Sequence, residues 1–150
     1  MAMAERRADV VWEGNLATGK GTIVSGTSGA IGNLPVSWPA RTEQPGGKTS
    51  PEELLAAAHA ACYAMALSHV LAQGGTPAER LAVSAKVGLD PKPGGGVQVI
   101  FSHLTVRGHV QGLDQAGLEA AARSGEEGCP ISNALRGNVE IAVEATLENG

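Results

Sequence analysis

Apolar and polar residues alternate from Ala8 to Glu13, which predicts a strand closed by Gly14-Asn15. Gly21 to Ser25 has the same period and predicts a second strand in a hairpin-like unit. Asn33 to Trp38 predicts a third, and Arg41 to Lys48, rich in Gly, Pro and polar residues, reads as a loop. The period then changes. In Thr49-Ser50-Pro51-Glu52-Glu53, Ser50 is placed as N-cap, Pro51 as first helical residue and Glu53 as the reciprocal member of a capping box. From Leu54 to Ala72 the pattern is apolar nearly all round, and Gly74-Gly75 ends it. No Asp, Glu, Lys or Arg falls between Glu53 and Glu79. A helix of that kind belongs in the centre of a structure.

Two long strands follow, Leu81 to Leu89 and Val97 to Val110, joined as a hairpin across Asp90 to Gly96. Asp114 is placed to cap a second helix that runs to Glu127 and stops at Gly128. Cys129-Pro130 restarts a short helix through Leu135, and Asn138 to Leu147 alternates as a last strand. The order predicts an α+β fold with antiparallel sheet. Residues 1–150 suit a single domain, since no linker or repeat divides them. One chain of this size has difficulty covering a helix apolar on all sides, so a second copy is expected to complete the cover.

Composition narrows the function. Net charge is −4, which gives a nucleic-acid role no electrostatic footing. The sequence suggests no bilayer-spanning run and no signal-peptide pattern, so a membrane role is not expected and the expected compartment is the cytoplasm. Thiols stay reduced there, so two Cys are more readily catalytic, metal-binding or inert than a structural disulfide. The two, Cys62 and Cys129, lie 67 positions apart with no C-x-x-C and no His pair at ligand spacing, which argues against metal.

Cys62 falls mid-helix in Ala58-His59-Ala60-Ala61-Cys62-Tyr63-Ala64-Met65. One reading is a small, inert, buried hydrophobe with a raised pKa. The other is a nucleophile held as thiolate by a cation from elsewhere in the fold, for which Arg41 is the best candidate. A buried Arg41 needs a counterion, and Glu52 or Glu53 can serve. Glu52 lies ten residues before Cys62 on the same helix, roughly 15 Å along its axis. A role for Glu52 at Cys62 therefore requires the other subunit of a dimer; otherwise it is a helix-start carboxylate favoured by the macrodipole. Cys129 stands at a helix start, a setting that stabilises thiolates. It either occupies a cap position by chance or acts as a resolving thiol. The pair suits a sequence in which Cys62 attacks a peroxide, becomes sulfenic acid and condenses with Cys129 to a disulfide, which an external dithiol reduces.

The runs Asn33-Leu-Pro-Val-Ser-Trp-Pro-Ala-Arg41-Thr-Glu43, Thr49-Ser-Pro-Glu52-Glu-Leu-Leu-Ala-Ala-Ala-His-Ala-Ala-Cys62 and Gly128-Cys129-Pro130-Ile-Ser-Asn-Ala-Leu together resemble the osmotically inducible protein C (OsmC) family, which includes the organic hydroperoxide resistance (Ohr) proteins. The resemblance extends to Trp12-Glu13-Gly14 and Gly19-Lys20-Gly21. It implies antiparallel sheets wrapped around central helices in an intertwined homodimer. It implies thiol peroxidase activity on organic or lipid hydroperoxides, with no bound cofactor and a dithiol reductant such as a lipoyl protein. By motif, Cys62 corresponds to the peroxidatic Cys, Cys129 to the resolving Cys, Glu52 to the catalytic carboxylate and Arg41 to the activating arginine of the OsmC branch. In the Ohr branch the arginine comes from an earlier loop, where this chain offers only Lys20. His59 is read as a packed or hydrogen-bonded core residue. The competing expectations are a non-enzymatic small-molecule or lipid-binding protein and a redox sensor on the same scaffold.

Overall fold

The alternating N-terminal segments pair as an antiparallel sheet in the order β1-β2-β3: β1 (Ala8–Glu13), β2 (Lys20–Gly26) and β3 (Gly32–Val36). Trp12 lies opposite Gly21 in the β1–β2 register. A Cβ on Gly21 would stand 2.7 Å from the Trp12 ring, so only glycine lets the indole lie across the strand. The computed structural model describes residues 1–149 and divides into two units, one over Met1–Leu54 and one from Leu55 onward. The sheet belongs to the first. Val10, Val11 and Trp12 of β1 are exposed.

The first unit also contains an element absent from the sequence reading. Trp38–Thr42 forms a short helix, α1, so Arg41 sits on a helical turn rather than in a loop. Ser37 caps it, its Oγ accepting from the Ala40 N–H at 3.2 Å, and Pro39 occupies the first turn.

The long helix α2 (Pro51–Gln73) begins as its start signal dictates. The Glu53 N–H donates to Ser50 Oγ at 3.1 Å. Only half of the capping box forms, because the Glu53 carboxylate instead accepts from Thr49 Oγ1 at 2.6 Å. Contrary to the sequence expectation, α2 is by length and composition long and apolar enough to cross a membrane. In this structure it supplies one side of a protein core.

That core lies in the second unit. Tyr63, Leu67 and Leu71 of α2 pack with Leu104 and Val106 of β5 (Val97–His109), Leu118 and Ala122 of α3 (Gln115–Gly128), and Ala145 of β6 (Glu140–Leu147). Each fully buried Leu among them contributes roughly 1.5–3 kcal/mol. β4 (Arg80–Pro91) pairs antiparallel with β5 as a hairpin. β6 runs parallel to β5, a departure from the purely antiparallel expectation. The chain between them holds α3 and α4 (Pro130–Leu135), a crossover long enough to return the strand in the same direction. Along the other side of α2, Ala58, Ala61 and Met65 are exposed, Met65 to 71%.

Gly125 sets the approach of α3 to α2. A Cβ there would lie 3.3 Å from the Leu67 Cα. Gly125→Val therefore forces the helices apart and is expected to cost about 1–3 kcal/mol of unfolding free energy, measurable by urea denaturation. Wild-type stability in that variant would contradict this packing.

Candidate active site

The four residues singled out in the sequence form two pairs, one in each unit. In the first unit, Arg41 meets Glu52. Arg41 Nε donates to Glu52 Oε1 and Oε2, each at 3.1 Å, and Nη2 donates to Oε1 at 2.8 Å. Such forked, charge-assisted geometry fixes orientation as well as energy. Glu52 is buried, while Arg41 keeps about a third of its side chain in solvent. The guanidinium also stands 5.8 Å from the Trp38 ring centroid, within cation–π range. Of the two carboxylates that could have served as counterion, Glu52 is the one engaged. Arg41 borders a cavity of about 370 Å³ whose other walls include Trp12, Leu16, Val36, Trp38 and Pro51. The walls are almost wholly apolar, and the arginine is their one charge.

In the second unit, Cys62 meets Cys129. Both are free thiols, Cys62 half-buried and Cys129 fully buried. Cys129 closes α3 and caps α4, and its Sγ accepts from the Ser132 N–H at 3.5 Å. Burial pushes the Cys62 thiol above its ordinary pKa; the Ile131 amide opposes that rise, and the Cys129 thiol adds to it. As it stands in the single chain, Cys62 is protonated at neutral pH and a poor nucleophile.

His59 conforms to its reading as a hydrogen-bonded core residue. It is fully buried. Nδ1 lies 2.6 Å from Ser102 Oγ and Nε2 lies 2.7 Å from Ser132 Oγ. Burial lowers its pKa, and the Glu126 carboxylate only partly opposes this. Next to Cys62, the Tyr63 hydroxyl donates to the Ala122 carbonyl at 2.9 Å, tying α2 to α3. Among the described residues no cluster of His, Cys, Asp or Glu could hold a metal ion.

Sequence reasoning missed Ser102, Ser132, the Ile131 amide and the apolar cavity. Ser132 was within reach, standing three residues after Cys129 in a capped turn. Ser102 carries no local signal, because its partner is 43 positions away.

The family description "OsmC-like protein" matches residues 44–144. The chain belongs to the OsmC family. The matched span holds Glu52, Cys62 and Cys129 but begins after Arg41. The peroxiredoxin OsmC of Escherichia coli (strain K12) is 35% identical over 136 residues, covering 91% of this chain and 93% of that protein. An organic hydroperoxide resistance protein of Xanthomonas axonopodis pv. citri is 35% identical over 100 residues, or 65% of this chain and 67% of that one. The crystal structure of the organic hydroperoxide resistance protein OhrB of Bacillus subtilis superposes with a TM-score of 0.73 at 27% identity, over 93% of this chain and 98% of that chain. That of an OsmC protein from Legionella pneumophila gives 0.72 at 29% identity, over 97% and 99%. The α+β architecture described above is thus the OsmC fold, and the named relatives support a peroxidase-like role.

The buried imidazole has a consequence for stability. Its pKa is lower folded than unfolded, so the unfolded chain takes up its proton first as pH falls. The contribution of His59 is complete above its ordinary value of 6.5 and declines as pH drops through and below that value. Unfolding free energy should therefore decrease from pH 7 to pH 5 more steeply in the wild type than in His59→Gln. Equal slopes in denaturant titrations would contradict a neutral buried His59.

Proposed function

We propose that this protein is a dimeric thiol peroxidase that reduces organic hydroperoxides to alcohols. The observation that carries the reading is the meeting of two free thiols in one core, the half-buried Cys62 against the buried Cys129. The Cys62 thiolate attacks the terminal peroxide oxygen, the O–O bond breaks, and the alkoxide leaves with a proton as alcohol. Cys62 is left as sulfenic acid. Cys129 condenses with it, forming the disulfide and releasing water. An external dithiol, of which a lipoyl protein is one example, returns both thiols by exchange.

The difficulty in this chemistry is the raised pKa of Cys62. A cation brought beside it removes that difficulty, and the Arg41–Glu52 pair supplies one already oriented. Glu52 is ten residues from Cys62 along α2, so its carboxylate is offered to the partner's thiol rather than to its own. The exposed apolar side of α2, with Met65 at its middle, gives a second copy a surface to bury. The apolar cavity beside Arg41 suits the organic part of a hydroperoxide, which favours organic substrates over hydrogen peroxide. The disulfide cycle requires a reducing compartment, consistent with the cytoplasm.

Thiol trapping with intact-mass measurement tests the reading. One equivalent of cumene hydroperoxide should consume both thiols and join Cys62 to Cys129, and Cys62→Ser should abolish turnover. Thiols that stay free under organic peroxide would overturn it and favour a binding protein. The activation step has its own signature. Arg41→Gln should move the pH midpoint of Cys62 ionisation, followed by thiolate absorbance in the ultraviolet, upward by about 1–3 pH units. An unmoved midpoint would remove Arg41 from the site.

A further inference from the structure

Three polar side chains of the second unit take no part in those steps, yet His59, Ser102 and Ser132 are all fully buried. Burying such groups is costly unless each finds a partner. They satisfy one another, with the imidazole between Ser102 Oγ at 2.6 Å and Ser132 Oγ at 2.7 Å. A neutral imidazole carries one donor and one acceptor, and each hydroxyl supplies the complement. Both ring nitrogens are engaged, so neither is free to take a proton from a thiol.

The placement of this unit relative to the sulfurs is specific. His59 precedes Cys62 by three residues, one turn away on the same face of α2. Its partner Ser132 is the residue whose N–H donates to Cys129 Sγ at 3.5 Å. The preceding residue, Ile131, packs with Cys62 against the core that holds Cys129. The first turn of α4 thus holds the Cys129 sulfur, and His59 bolts that turn to the helix carrying Cys62. Ser102, on β5, holds the ring from the other side.

We propose that His59 is a positioning residue for disulfide closure, holding Cys129 in register with Cys62 through Ser132. The inference rests on the peroxidase reading. In the step concerned, Cys129 Sγ attacks the sulfur of the Cys62 sulfenic acid. The S–S bond forms and the S–O bond breaks. The departing hydroxide takes the Cys129 proton and leaves as water, so no further oxidant or reductant is needed. A sulfenic acid that waits for its partner meets a second peroxide and becomes sulfinic acid. Register between the thiols therefore decides whether the enzyme turns over or is lost.

Rapid-mixing kinetics with cumene hydroperoxide on wild type, His59→Asn, His59→Gln and Ser132→Ala test this. Asn places its amide near the Nδ1 position and reaches only Ser102; Gln reaches toward Ser132. Formation of the sulfenic acid is expected to stay within about twofold of wild type in all three variants. Disulfide closure is expected to slow about tenfold or more in His59→Asn and Ser132→Ala, with partial recovery in His59→Gln, because small misplacements of reacting groups cost rate steeply. Sulfinic acid, seen by mass, should accumulate at peroxide doses that leave the wild type as disulfide. Wild-type closure in Ser132→Ala, which keeps its backbone N–H to Cys129 and loses only the hydroxyl, would overturn the inference. So would equal slowing of both steps, which marks a merely structural role. Absence of any disulfide in the wild type would instead overturn the peroxidase reading beneath it.

Discussion

A thiol on an apolar helix resists ionisation. Burial disfavours the thiolate of Cys62, and its neighbour Cys129 disfavours it further. The opposing influence in the second unit is a single amide, Ile131 N–H. Everything else in the proposed chemistry follows from that constraint. The core that isolates the sulfur from water also makes it depend on a charge that the core does not contain. Arg41 is suited to that task because it is forked, permanently charged and already held by Glu52.

The same constraint accounts for the division of labour proposed for the cysteines. Cys62 is half-buried, while Cys129 is sealed in the core at a turn between two helices. A resolving thiol needs no access to peroxide; it needs only its partner sulfur. The first turn of α4 holds Cys129 in place, with the Ser132 N–H directed at its sulfur. His59 turns that local arrangement into a fixed relation between α2 and α4, at the cost of burying an imidazole and two hydroxyls that must all be satisfied.

Much of this was legible in the chain, and the failures have physical causes. The capped start of α2, its apolar length and the Cys129 cap follow from spacing alone, and they place Glu52, Cys62 and Cys129. α1 escaped notice because five residues are too few to show a helical period, although Ser37 and Pro39 are its start signals. The parallel pairing of β6 was hidden because strand direction depends on the crossover, not on the strand's own alternation. The partners of His59 lie 43 and 73 positions away, so no local pattern announces them. The choice of Glu52 over Glu53 as counterion rests on which side of one helical turn each occupies, and Thr49 claims the other carboxylate.

The proposal stands on the partner subunit supplying the cation, and subunit mixing tests that most directly. On the proposed reading, Cys62→Ser and Arg41→Gln should each give an inactive homodimer. Unfolding the two together and refolding them yields mixed dimers in which an intact Cys62 faces an intact Arg41 from the other chain. Organic hydroperoxide reductase activity should reappear in the mixture, to a level set by the fraction of mixed dimers. A mixture that stays as inactive as its parents would contradict it and return Arg41 to its own chain or remove it from the chemistry.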